Sequence, residues 1–156
     1  MGLRENTQTE PVKTLNLRTP ILVGKDATLR QCIEKMRDGK LGCVIVVDAD
    51  QKPVGLFTEA MLRHLLLDSP VSLNDPIESR MATAYPWCRL TDPVETVLEA
   101  MELKNHRFVV VVDETGQIAG LTGQKGLMEY VAEQFPQEVM VQRVGTKPFP
   151  EQREGA

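Results

Sequence analysis

The second half of this chain repeats the first. Residues 20–62 lie over residues 85–127 without a gap, and nine of the 43 pairs are identical, among them Asp48/Asp113, Gly55/Gly120 and Leu56/Leu121. The apolar spacing agrees better than the identities do. Leu29, Cys32, Ile33 and Met36 fall at i, i+3, i+4 and i+7, and so do Val94, Val97, Leu98 and Met101. That spacing puts four apolar side chains on one face of a helix, at matching places in the two copies. A unit built twice folds into two like halves. Halves of about 65 residues bury too little surface to be stable alone, so the two are expected to depend on each other.

Each copy reads as the same run of elements. "ILV" and "YPWC" are short lead-in strands, followed by the amphipathic helices. Thr28 with Gln31 has the form of a capping box, and Asp92-Pro93 supplies an N-cap and a proline suited to the first helical position. Next come "CVIVV" and "FVVVV", β-branched and continuous rather than alternating, which predicts strands buried on both faces. Asp48-Ala-Asp-Gln and Asp113-Glu-Thr-Gly carry turn chemistry. "PVGLF" and "IAGLT" return as strands, and helices follow over roughly 59–67 and 124–134. The unit is β-α-β-β-α, twice. Residues 1–17 are polar enough to form a flexible arm, although Val12, Leu15 and Leu17 have the chemistry to pack. Residues 69–80 join the copies, and the tail 137–156 is too rich in proline, glycine and charge to order itself.

Several classes of function are disfavoured. A net charge of −4 and few aromatics give no footprint for nucleic acid. No apolar run reaches the 18 or so residues of a membrane span, and the first residues have no signal-peptide pattern, so a cytoplasmic protein is expected. Cys32, Cys43 and Cys88 have no metal-like spacing, and Cys32 and Cys43 sit in apolar patterns as core residues. His64 lies on a helix surface, and neither it nor His106 shares a nucleophile or metal-ligand pattern. The carboxylates form no acid/base pair. "GLTGQKG" lacks the Gly-Lys-Ser/Thr ending of a phosphate loop. No enzymatic role, catalytic residue, metal or required cofactor is expected.

With that order of elements, "GCVIVVDADQKPVGLFTEAML", "HRFVVVVDETGQIAGLTGQKGL" and the "MATAYPWCRLTDPVETVLEAM" that opens the second copy, the chain resembles a tandem pair of CBS domains of the stand-alone bacterial kind, over about residues 18–136. The resemblance implies an α+β module of two pseudo-symmetric repeats, 18–68 and 81–136, packed through their sheets with ligand clefts between them. It further implies an adenosyl ligand (AMP, ADP, ATP or S-adenosylmethionine), a disk-like homodimer, and an effector protein that reads the occupancy.

The family's nucleotide signature is a glycine on the returning strand, then Ser or Thr, then an Asp three residues on. The Asp accepts ribose hydroxyls, and the hydroxyl residue stands near a helix N-terminus suited to phosphate. Copy one reads Gly55-Leu-Phe-Thr58-Glu-Ala-Met61, keeping the Thr and losing the Asp. Copy two reads Gly120-Leu-Thr-Gly123-Gln-Lys-Gly126 and loses both. Arg107 matches a basic position often found just before the core strand, with His106 beside it, and as a plain residue Arg107 reads equally as a solvated strand edge. Two readings stand. In one the module senses a small ligand, with Arg107, Thr58, His106 and the backbone around Val23, Val44 and Val109 forming the cleft. In the other, Met61 and Gly126 mark decayed pockets, and the chain is a dimerisation or protein-interaction module.

Overall fold

A computed structural model describes residues 2–68, 70–104 and 107–134. Its elements follow the doubled order: α1 (Leu3–Thr9), β1 (Leu22–Val23), α2 (Leu29–Gly39), β2 (Cys43–Val47), β3 (Pro53–Thr58), α3 (Glu59–Asp68), β4 (Trp87–Arg89), α4 (Glu95–Lys104), β5 (Phe108–Val112), β6 (Ile118–Gly123) and α5 (Gln124–Gln134). Each repeat forms its own three-stranded sheet, ordered β1-β2-β3 and β4-β5-β6. The lead-in strand runs parallel to the central strand and the returning strand antiparallel to it. A register shift falls at the same place in both, between Val46 and Val47 and between Val111 and Val112.

The continuous apolar strands are buried on both sides, as their composition requires. Side chains alternate across a strand, so Val44 and Val46 join Val23, Leu29, Cys32, Met36 and Phe57 in a core under the first repeat's helices. Val109 and Val111 do the same with Cys88, Val94, Val97, Leu127 and Tyr130. The opposite faces meet: Cys43, Ile45, Val47 and Leu56 pack with Val110, Val112 and Leu121 in one cluster between the sheets. Each fully buried aliphatic side chain stabilises by roughly 1.5–3 kcal/mol, and the inter-sheet cluster exists only when both repeats are folded.

The segments ahead of each repeat are exchanged. A 3-10 turn at Val12–Thr14 inserts the fully buried Val12 into the core of the second repeat. A 3-10 turn at Ile77–Ser79 inserts the fully buried Ile77 into the core of the first. The hydrogen bonds match across the pseudo-two-fold. Val12 donates its N–H to the Asp92 carbonyl (2.7 Å) and Ile77 donates to that of Ala27 (2.7 Å). Val94 donates to the Glu10 carbonyl (2.8 Å) and Leu29 to that of Asp75 (2.9 Å). Further on, Arg18 pairs with Leu121 on the edge of β6, and Ala82 pairs with Leu56 on the edge of β3. Residues 1–17, expected as a flexible arm, are therefore folded from Leu3 onward against the second repeat. Burying Val12, Leu15 and Leu17 outweighs the polar composition around them. The joining segment 69–80 likewise contributes core through Ile77.

The capping box of α2 is present: Gln31 donates its N–H to Thr28 Oγ1 (3.2 Å), and Gln31 Oε1 accepts from the Thr28 N–H (2.9 Å). The expected N-cap of the second copy differs. Asp92 Oδ2 accepts from the Arg89 N–H (2.8 Å), so its carboxylate closes the turn after β4, and α4 begins only at Glu95 after a tight turn at Pro93. The C-terminal tail expected over 137–156 lies outside the described residues.

Candidate functional site

The sequence brings like ends together. Because each central strand is followed by its antiparallel neighbour, the start of β2 lies beside the end of β3, and the start of β5 beside the end of β6. Stacking the sheets face to face sets both pairs of ends around one cleft of about 780 Å³. Repeat one contributes Gly42, Thr58, Glu59, Ala60 and Arg63. Repeat two contributes Leu98, Met101, Glu102, Arg107, Phe108 and Gln124.

The two repeats meet at this cleft with unlike chemistry. Gly42 and Arg107 are equivalent, and each offers its carbonyl to the first residue of the helix opposite: Glu59 donates to Gly42 at 3.0 Å and Gln124 to Arg107 at 3.4 Å. One half thus presents a carboxylate and no side chain at 42, the other an amide and a guanidinium. Glu59 Oε2 and the tip of the Phe108 ring each come within 3.4 Å of the point where a side chain on Gly42 would begin. Among the described residues, none of Glu59, Arg63, Glu102 and Arg107 takes part in an ion pair.

The expected site residues divide into three groups. Thr58 and Arg107 meet in the cleft. Thr58 is buried, and its Oγ1 accepts the Met61 N–H (3.2 Å), capping α3; its hydroxyl hydrogen stays available to a ligand. The side chains of Val23, Val44 and Val109, whose backbone was expected around the cleft, pack in the two sheet–helix cores, since their positions on the strands turn them towards the helices. Gly42 and Phe108, each just ahead of its central strand's buried run, are what that part of the chain brings to the cleft wall. His106 lies outside the described residues.

The two departures from the ribose-binding pattern are built into the packing. Met61 turns away from the cleft and packs with the core of repeat one. Gly126 is buried in α5, and Thr122 Oγ1 stands 2.5 Å from where a β-carbon on it would be. That hydroxyl is itself buried without a hydrogen-bond partner among the described residues. At Gly123, where the signature calls for Ser or Thr, the carbonyl oxygen of Arg107 fills the space of a β-carbon.

Sequence reasoning missed Glu59, Arg63, Glu102 and Gln124. Glu59 and Gln124 directly follow Thr58 and Gly123, so the motif positions pointed at them. Leu98, Met101 and Glu102 follow an i, i+3, i+4 spacing; its apolar members read as core, yet Leu98 is 45% exposed and lines the cleft. Burial pushes the thiol of Cys32 up to about 11 and those of Cys43 and Cys88 to about 12, so all three stay protonated near neutral pH. The described residues contain no group of three or more His, Cys, Asp or Glu placed to hold a metal. His64 is exposed on α3, and no described helix is long and apolar enough to cross a membrane.

Comparison with known families matches the CBS domain twice, over residues 12–68 and 77–133. The chain belongs to the CBS domain family. Both matches begin at the exchanged segments, at or beside Val12 and Ile77, so the family's unit includes the piece that each repeat lends to the other. This CBS pair is 28% identical over 122 residues to the glycine betaine/carnitine/choline transport ATP-binding protein OpuCA of Bacillus subtilis (strain 168). That stretch is 78% of this chain and 31% of OpuCA, so the chain spans about a third of that relative. Among solved structures it is similar in fold to the CBS domain protein PAE2072 from Pyrobaculum aerophilum complexed with AMP, with a TM-score of 0.71 and 21% identity over 88% of this chain and 100% of the other. It is also similar to the CBS domain pair of protein MJ0100 in complex with 5-methylthioadenosine and S-adenosyl-L-methionine, with a TM-score of 0.70 and 19% identity over 81% and 98% of the two chains.

Proposed function

We propose that this CBS pair is a regulatory module that binds a small adenosyl compound between its repeats and signals its presence to an effector protein. The observation that carries the reading is the convergence of Thr58 and Arg107, from different repeats, on one cleft. A ligand spanning that cleft touches both repeats, and so favours whichever relative packing of the two it fits best; such differential affinity is what lets a ligand shift an equilibrium. AMP, ADP, ATP and S-adenosylmethionine are the candidates, supported by the ligands in the two similar structures. The match to OpuCA supports an ATP-driven transport component as one class of effector. The module acts as a homodimer through its helices, and its three buried free thiols suit the reducing cytoplasm. No catalytic step belongs to this reading.

Thermal unfolding against AMP, ADP, ATP, S-adenosylmethionine and NAD tests it. A ligand at about 100 times its Kd adds roughly 2.7 kcal/mol, which raises Tm by about 5–10 °C at this size. Arg107→Ala abolishes the shift. The loss of the carboxylate at both Met61 and Gly126 favours a second reading, a CBS pair without nucleotide that serves as an interaction module. No shift with any of these compounds at millimolar concentration would select it.

A further inference from the structure

We infer that the cleft accepts an adenosyl ligand bearing a single anionic group and rejects polyphosphates, with Glu59 as the residue that sets this limit. The inference rests on the ligand-sensing reading. Across the pseudo-two-fold the anion-attracting features are unequal. In the half formed by Arg107 and Gln124, a guanidinium stands next to a neutral amide. In the half formed by Gly42 and Glu59, no cation stands at the strand start; a carboxylate stands at the first residue of α3, with Arg63 one turn further along that helix.

A carboxylate in the first turn of α3 offsets the positive end of that helix. The hydroxyl of Thr58 accepts the Met61 N–H and has one hydrogen left to donate, enough for a single anionic oxygen. One phosphate fits beside Arg107. A second and third extend the ligand from that half towards Gly42, where Glu59 lies, and there like charge opposes them. Glu102 on the α4 wall adds a second carboxylate on the Arg107 side, so each repeat brings one arginine and one carboxylate to the cleft wall. Polyphosphate recognition needs clustered cations; two arginines offset by two carboxylates do not supply them.

The test is calorimetric titration with AMP, ADP and ATP, without divalent cations and at fixed ionic strength, on the full chain and on Glu59→Gln. Glu59 is exposed, so the amide is tolerated by the fold. AMP is expected to bind at least about tenfold more tightly than ATP, with ADP between. Glu59→Gln is expected to tighten ATP more than AMP and so to narrow the preference for AMP about tenfold, the gain shrinking as salt is raised. ATP binding as tightly as AMP to the unchanged chain overturns the inference, as does an AMP preference that Glu59→Gln leaves untouched; either leaves the sensing reading standing. Failure of all three compounds to bind either protein overturns this inference, and the sensing reading falls with it only if S-adenosylmethionine also fails to bind.

Discussion

Gly123 shows how a missing motif residue becomes a structural requirement. In copy one, Thr58 ends its strand, caps α3 and looks into the cleft. In copy two the same position lies against the backbone of Arg107, whose carbonyl oxygen stands where a β-carbon would be. A backbone atom yields far less readily than the end of a side chain. Gly123→Ala therefore forces β5 and β6 apart where Gly123 pairs with Phe108 and is expected to cost about 2–4 kcal/mol, near the upper range for overpacking. Calorimetry should show Tm lower by about 5–15 °C, and an unchanged Tm would remove the steric account. It follows that writing the family's hydroxyl into copy two does not rebuild a second site. At Gly126 the obstacle is softer: the Thr122 hydroxyl, a side-chain end, stands 2.5 Å from the β-carbon position and must turn aside before a carboxylate could enter.

Among the elements, the exchanged segments bind the repeats together most directly, and α1 extends the first of them. The chain runs from α1 through Glu10 to Val12, and Glu10 Oε2 accepts a hydrogen bond from the Tyr130 hydroxyl on α5 (2.8 Å). Burial of the tyrosine, reinforced by that carboxylate, raises its pKa from 10.0 to about 12. A folded-state pKa above the unfolded one means that the folded protein holds the proton longer. This contribution to stability is complete below pH 10 and is lost as pH rises towards 12. Tyr130→Phe should thus flatten the fall in stability over that window, measured by denaturant unfolding at several pH values. An equally steep fall in the variant would show that the tether carries no linkage. The sequence made the β-α-β-β-α order legible because strand burial and helix periodicity are local signals, repeated in register. The exchange was illegible for the opposite reason: Val12 and Ile77 are single apolar residues in polar surroundings, and only the partner repeat shows what they fill. The cleft was half legible. Thr58 and Arg107 stand at motif positions, whereas Glu59, Arg63 and Glu102 are charged residues that any solvated helix carries. Asp92 was misassigned because an Asp before a proline is equally good chemistry for a turn and for a cap.

At the scale of the whole molecule, the two repeats close around their shared inter-sheet core and turn their helices outwards. The outer faces are not uniformly polar. Leu66 and Leu67 at the end of α3 are 66% and 83% exposed, and Met128 on the equivalent helix α5 is 65% exposed. No residue of α3 is fully buried, although Met61, Leu62 and Leu65 lean on the core. Scattered exposed leucines are ordinary, but apolar positions on both pseudo-equivalent helices suit an interface that a two-fold axis makes self-complementary. The proposed homodimer accordingly predicts a species of twice the 17.4 kDa chain mass in light scattering at tens of micromolar protein. Leu67→Glu places a charge in that contact without touching either core, and should halve the mass while leaving Tm at high protein concentration within a few degrees. The cleft lies between the repeats rather than between copies, so the monomeric variant should retain ligand affinity while losing any ligand-dependent change in the dimer. A wild-type chain that runs as a monomer would refute the homodimer and leave the exposed leucines to the effector protein.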